Sequence, residues 1–184
     1  MRIIAGTAKG ARLAPVPRGV RPVSDMAREG LFSSIASDVP GAAVLDLYAG
    51  TGALGIEALS RGAEAVTFVE RSSPARASLL QNLSRTRLAE RARIVPSPVG
   101  AFLTGDDRSS GPFNLVLVDP PYKAPGGEVD AVLAELGSGW LPEHGWTVVL
   151  TRPARSSMPV IPVHWHVARR LEYGDTLVLV YREV

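Results

Sequence analysis

The apolar run from Phe113 to Asp119 ends in an aspartate followed at once by two prolines and a tyrosine, Asp119-Pro120-Pro121-Tyr122. Proline fixes its own φ, supplies no backbone N–H and drives the preceding residue into extended conformations, so a strand arriving here must stop. Beyond its carboxyl end remain a carboxylate, carbonyls with no neighbouring N–H to compete for them, and an aromatic ring. That set suits a flat ring carrying hydrogen-bond donors. An exocyclic amine on a nucleobase is a poor nucleophile because its lone pair is delocalised. Accepting its protons on Asp119 and on the Pro120 carbonyl would localise that pair, while Tyr122 stacks on the extruded ring. Asp119, Pro120, Pro121 and Tyr122 are therefore the catalytic candidates, with positioning mattering more than strong base catalysis. The plainer alternative is a proline-rich turn with an incidental tyrosine.

A second constellation is DLYAGTGALG, Asp46 to Gly55. Gly50, Gly52 and Gly55 match the spacing of a dinucleotide loop, where glycine lets the backbone approach a ligand and free N–H groups at a helix N-terminus point outward. Asp46, inside the preceding strand, would repel a pyrophosphate but can accept from an ammonium group or a water. This favours S-adenosylmethionine over a dinucleotide. Glu70 ends the next strand, where an acid accepts from ribose hydroxyls of either ligand. A third strand ends at Ser97 without an acid, leaving any adenine contact to backbone groups or Ser97. The donor-binding candidates are Asp46, Tyr48, Gly50, Thr51, Gly52, Glu70, Arg71 and Ser97; a tight turn with a capping aspartate is the structural alternative.

The elements that must position these groups alternate. Ala43–Tyr48, Ala65–Glu70, Ala92–Ser97, Phe113–Asp119 and Trp146–Arg152 are short runs rich in Val, Ile and Leu, as strands buried on both faces should be. Helical stretches are expected at Ala53–Arg61, closed by Gly62, at Pro74–Leu88 with Ser73 as N-cap, and at Glu128–Leu136. Such alternation predicts an α/β fold with right-handed crossovers and a mostly parallel, doubly wound sheet. Gly174-Asp175 between His166–Tyr173 and Thr176–Arg182 signals an antiparallel hairpin at its edge. Ile3 and Ile4 open a Gly/Pro-rich arm, after which Ser24 or Asp25 can cap a helix. Gly30 inside that helix costs about 1 kcal/mol against alanine.

With 184 residues, 46% of them hydrophobic, the chain is long enough for one well-cored domain. It has no cysteine, which excludes disulfides and thiolate metal sites and fits a reducing compartment. No segment has the apolar length of a signal peptide or membrane span, so a soluble, cytoplasmic protein is expected. The net charge is +2, yet residues 1–30 carry net +4, a basic arm suited to approaching phosphates. The three histidines lack ligand spacing, and no metal site is expected.

Together, RIIAG (Arg2–Gly6), RPVSDMAREGLF (Arg21–Phe32), VLDLYAGTGALGIEALSRGA (Val44–Ala63), Glu70, LVDPPY (Leu117–Tyr122) and YGDT (Tyr173–Thr176) resemble the bacterial 16S rRNA guanine-N2 methyltransferase family of RsmD type. The resemblance implies a Rossmann-like class I methyltransferase fold with a seven-stranded sheet and a small N-terminal β/helix extension. It implies methyl transfer from S-adenosylmethionine, with S-adenosylhomocysteine as product, to N2 of a guanine of position 966 type. The partner would be 16S rRNA within the small subunit or an assembly intermediate, and a monomer is the default. Residues 1–38 would form the arm and helix that cover the site and meet RNA, and residues 39–184 the catalytic domain. Arg2, Lys9, Arg12, Arg21, Asp25 and Arg28 are the substrate-RNA candidates. The alternatives are a DNA adenine-N6 or cytosine-N4 amino-methyltransferase, a non-catalytic RNA-binding module, and a dinucleotide oxidoreductase.

Overall fold

The structure, a computed structural model, describes residues 1–15, 23–105 and 108–184. Five strands, β1 (Ala43–Leu47), β2 (Ala65–Val69), β3 (Ala92–Val95), β4 (Leu115–Val118) and β5 (Thr147–Pro153), run parallel. A long hairpin, β6 (Trp165–Tyr173) and β7 (Thr176–Glu183), adds antiparallel pairing, giving the order β3-β2-β1-β4-β5-β7-β6. The order departs from β1 in both directions, toward β2 on one side and β4 on the other. The crevice of such a sheet lies at that switch point, outside the strands' carboxyl ends.

Side-chain alternation divides the interior into two layers. Val44 of β1 and Leu115 and Leu117 of β4 face α1 (Asp25–Ser34), α2 (Ala53–Ser60) and α3 (Ser73–Thr86). Leu45, Leu47, Val116 and Val118 face α4 (Val99–Thr104) and α5 (Gly126–Leu136), together with Trp140. The helix starts follow capping chemistry: the Ser24 hydroxyl accepts from Ala27 N–H at 3.1 Å, and Ser72, one residue before the expected cap, accepts from Ala75 N–H at 3.4 Å. α3 stops at Thr86 because Arg87 turns left-handed at φ 58°. Gly30 has a packing reason: a Cβ there would lie 1.9 Å from the Tyr173 hydroxyl oxygen.

The first fifteen residues fold back through one bridge, Arg2 with Arg12, and bury Ile3 and Leu13. They are fastened to α2 by the fully buried Glu57. Its carboxylate accepts from the Ile4 and Ala5 N–H groups at 2.8 and 3.0 Å and from Arg61 Nε at 2.7 Å. The Ser60 hydroxyl donates to the Ala5 carbonyl and accepts from Ala8 N–H. Among the described residues, no helix is long and apolar enough to cross a membrane.

Candidate active site

The register of β1 with β4 sets Leu47 beside Val118, so the next residues, Tyr48 and Asp119, leave the sheet as neighbours. Asp119 N–H donates to the Leu47 carbonyl at 3.4 Å. The glycine loop follows β1 and the DPPY segment follows β4, and both line one cavity of about 910 Å³. Asp46, Tyr48, Gly50, Thr51, Glu70, Arg71, Ser97, Asp119, Pro120, Pro121 and Tyr122 all contribute to its wall. Gly52 contributes by packing instead: a Cβ there would meet Leu79 Cδ1 of α3 at 2.2 Å.

The donor side is built from carboxylates and left-handed backbone. Tyr48, Gly50 and Gly52 all have positive φ, 60°, 56° and 82°; at Tyr48 this ends β1 one residue earlier than its apolar run suggests. A non-glycine residue held there marks a site where surroundings impose the turn. Asp46 is 1% exposed and accepts from Gly55 N–H at 2.9 Å. Gly55 must be glycine, since a Cβ would sit 2.3 Å from the Phe68 ring and 2.8 Å from Asp46 Oδ2. Glu70 accepts from Gly50 N–H at 2.8 Å and from Ser72 N–H at 2.7 Å, while Gly52 N–H donates to the Ala49 carbonyl at 2.8 Å. The N–H groups of all three loop glycines are thus engaged within the protein, contrary to the outward-pointing donors expected from the spacing. A pyrophosphate cradle needs such groups free, whereas carboxylates beneath the loop suit a cationic, phosphate-free ligand. The residues present fit S-adenosylmethionine and do not fit a dinucleotide.

Burial pushes the Asp46 carboxyl up to about 8, and the negative charges of Asp119 and Glu70 add to the rise against the opposing Gly55 hydrogen bond. Asp119, half-buried in the cavity wall, is pushed up to about 6 by burial, opposed by the hydrogen bond donated from the Thr151 hydroxyl. Sequence patterning does not single out Thr151, although β5 pairs with β4 so that Leu150 sits beside Val118, which places Thr151 next to Asp119. Glu128, in the first turn of α5, is likewise missed by sequence reasoning; it accepts from the Tyr48 hydroxyl at 2.9 Å and so ties the two loops together. Burial and Glu128 hold the Tyr48 phenol above its ordinary pKa.

Pro121 turns the segment back, its carbonyl accepting from Ala124 N–H at 2.8 Å, and Tyr122 leaves 52% of its surface exposed at the mouth. Ser97 donates to the Pro98 carbonyl at 3.0 Å. Met1 and Val23 also line the cavity, so both ends of the N-terminal arm reach the site.

The profile of the family described as Conserved hypothetical protein 95 matches residues 1–182. The chain belongs to that family. Among its relatives, Ribosomal RNA small subunit methyltransferase D of Escherichia coli K12 is 35% identical over 99% of this chain and 89% of that protein. The protein of the same name from Haemophilus influenzae Rd is 28% identical over 99% of this chain and 93% of that one. A solved hypothetical protein from Thermus thermophilus superposes with a TM-score of 0.83 at 31% identity, covering 100% of this chain and 99% of that one. The family fold is that of class I S-adenosylmethionine-dependent methyltransferases, a mostly parallel seven-stranded sheet closed by an antiparallel hairpin.

The expected RNA contacts separate by exposure. Arg2, Lys9 and Arg12 are exposed and Asp25 has half of its side chain exposed, whereas Arg21 lies outside the described residues. Arg28 is different, being fully buried. Its guanidinium donates to the Arg2 carbonyl and to Asp25, each at 2.7 Å, and its Nε and other terminal nitrogen have no hydrogen-bond partner among the described residues. A group with no solvent exposure cannot reach a phosphate, so in this conformation Arg28 braces the arm against α1.

Proposed function

We propose that this chain transfers a methyl group from S-adenosylmethionine to the exocyclic N2 amine of a guanine in the 16S rRNA of the small ribosomal subunit. The observation that carries this reading is the cavity shared by the glycine loop and the DPPY segment. The names of the family's curated relatives support rRNA as the substrate. The guanine N2 atom follows from the resemblance of the RPVSDMAREGLF and DPPY blocks taken together.

When bound, the donor supplies an electrophilic methyl group carried on a sulfonium. Asp46 and Glu70 would hold its ammonium and ribose ends, Gly50 would let the loop approach it, and Gly52 would keep that loop packed on α3. Asp119 and the Pro120 carbonyl would accept hydrogen bonds from the two amine N–H groups, which would localise the nitrogen lone pair and orient it toward the donor side of the cavity. Tyr122 stacks on the base. With its carboxyl near 6, Asp119 is largely ionised at neutral pH and can take up the proton that the alkylated amine must lose. Thr151 fixes the rotamer of Asp119 by hydrogen bonding. Positioning supplies most of the acceleration. Arg2, Lys9 and Arg12 meet the RNA backbone, and the protein acts as a monomer on the subunit or its assembly intermediate.

The test is transfer of labelled methyl to small-subunit particles from cells lacking the gene, followed by mass analysis of the nucleosides. N2-methylguanosine is the expected product. Label in N6-methyladenine, in N4-methylcytosine, or in duplex DNA alone would overturn the assignment.

A further inference from the structure

We infer that Asn82 is a positioning residue which fastens the RNA-facing arm to the donor loop, so that donor binding is felt in the arm. The inference rests on the reading of the glycine loop as the donor site.

Asn82 lies in α3 with no solvent exposure. Its Oδ1 accepts from Ala14 N–H at 2.7 Å, and its Nδ2 donates to the Thr51 carbonyl at 2.9 Å. One side-chain amide therefore spans two backbone segments, the middle of the arm and the centre of the glycine loop. The two ends of an amide differ chemically, one accepting and one donating, and this joint needs one of each. Aspartate offers only acceptors at neutral pH, and leucine would leave the Ala14 N–H and the Thr51 carbonyl without this partner.

Both segments are walls of the site. Thr51 lines the cavity directly, and the arm reaches it through Met1 on one side of Ala14 and Val23 on the other. Leu13, beside Ala14, donates its N–H to the Met1 carbonyl at 3.1 Å, so a displacement of Thr51 passes through Asn82 to Ala14 and on to Met1. α3 also presses on the loop at Gly52, where Leu79 leaves no room for a Cβ. An Asn that served only to satisfy a core polar group would have no reason to join two walls of one cavity.

The experiment uses the full chain and S-adenosylhomocysteine as the probe. Calorimetry gives its affinity, and hydrogen exchange follows the amides of Ile3, Gly10 and Ala11 with and without it. In the unmodified protein the ligand slows exchange at those arm amides. Asn82→Asp keeps the acceptor for Ala14 and loses the donor to Thr51. It binds the ligand roughly fivefold to tenfold more weakly, the worth of one buried hydrogen bond, and at saturation no longer slows the arm. A variant with a lower melting temperature but unchanged affinity and unchanged arm response would overturn the inference. So would an arm indifferent to the ligand in the unmodified protein, a result that does not depend on any variant folding. Failure of the unmodified protein to bind the probe at all would instead strike down the donor site itself.

Discussion

Removing the Thr151 hydroxyl isolates the ionisation of Asp119. Thr151 is 3% exposed and donates to Asp119, opposing the burial that raises the carboxyl to about 6. A hydrogen bond to a charged acceptor contributes about 1.5–3 kcal/mol, and each pKa unit corresponds to about 1.36 kcal/mol, so Thr151→Val should raise Asp119 by about one to two units. In the proposed mechanism Asp119 must be ionised to accept amine protons, so activity should be present above its pKa and lost as pH falls through it. The acid limb of the kcat/KM profile therefore moves from near 6 to about 7–8, and the rate at pH 7 falls about twofold to tenfold. Near pH 9 the variant should match the unmodified enzyme. Initial rates of methyl transfer measured from pH 5 to 9 decide the matter. A loss of activity equal at every pH would mean that Thr151 merely packs, and an unmoved limb would mean that Asp119 is not the group the profile reports.

Asp119→Ala should abolish methyl transfer while leaving binding to small-subunit particles intact; full activity in this variant would remove Asp119 from the chemistry. Asp46, near 8 in the free protein, is mostly protonated at pH 7, and a ligand ammonium beside it favours the ionised form. S-adenosylhomocysteine binding at pH 7 should thus release up to one proton, read by calorimetry in buffers of differing ionisation enthalpy, and Asp46→Asn should release none. The same raised values mean that Asp46 and Asp119 contribute most to stability below about 4, and that this contribution is lost as pH rises through about 6 and about 8. Thermal melts of Asp46→Asn should accordingly fall less than those of the unmodified chain between pH 5 and 9. Gly30→Ala should lower the melting temperature because its Cβ meets the Tyr173 hydroxyl. In a Tyr173→Leu background the same change should raise stability by up to about 1 kcal/mol as helix propensity takes over. A decrease in both backgrounds would refute the clash.

Much of the sheet was legible because β1, β2, β4 and β5 are largely apolar runs, and burial on both faces leaves few other residue types. The site was legible where chemistry is unusual for its place: an aspartate within a core strand, prolines at a strand end, glycines at fixed spacing. What escaped depended on register or on contacts distant in sequence. Thr151 acquires its role from the alignment of β5 with β4, Glu128 from its approach to Tyr48, and Asn82 from two segments, Ala14 and Thr51, that lie on either side of β1 in the chain. α4 has no signature in the sequence, since its six residues carry no capping side chain. Arg28, expected among the RNA contacts, is buried in this structure, and its burial was not legible because composition shows a cation but not which of its neighbours enclose it.

β7 follows β6 along the chain yet lies between it and β5. Until that strand docks, β5 presents bare N–H and carbonyl groups along the edge that carries Thr151, a surface on which another nascent chain could pair. Completion of the pocket wall, to which Thr151 and Thr176 both contribute, and protection from aggregation thereby rest on the same strand pairing, and lesions in β7 should yield insoluble protein before they yield a sluggish enzyme.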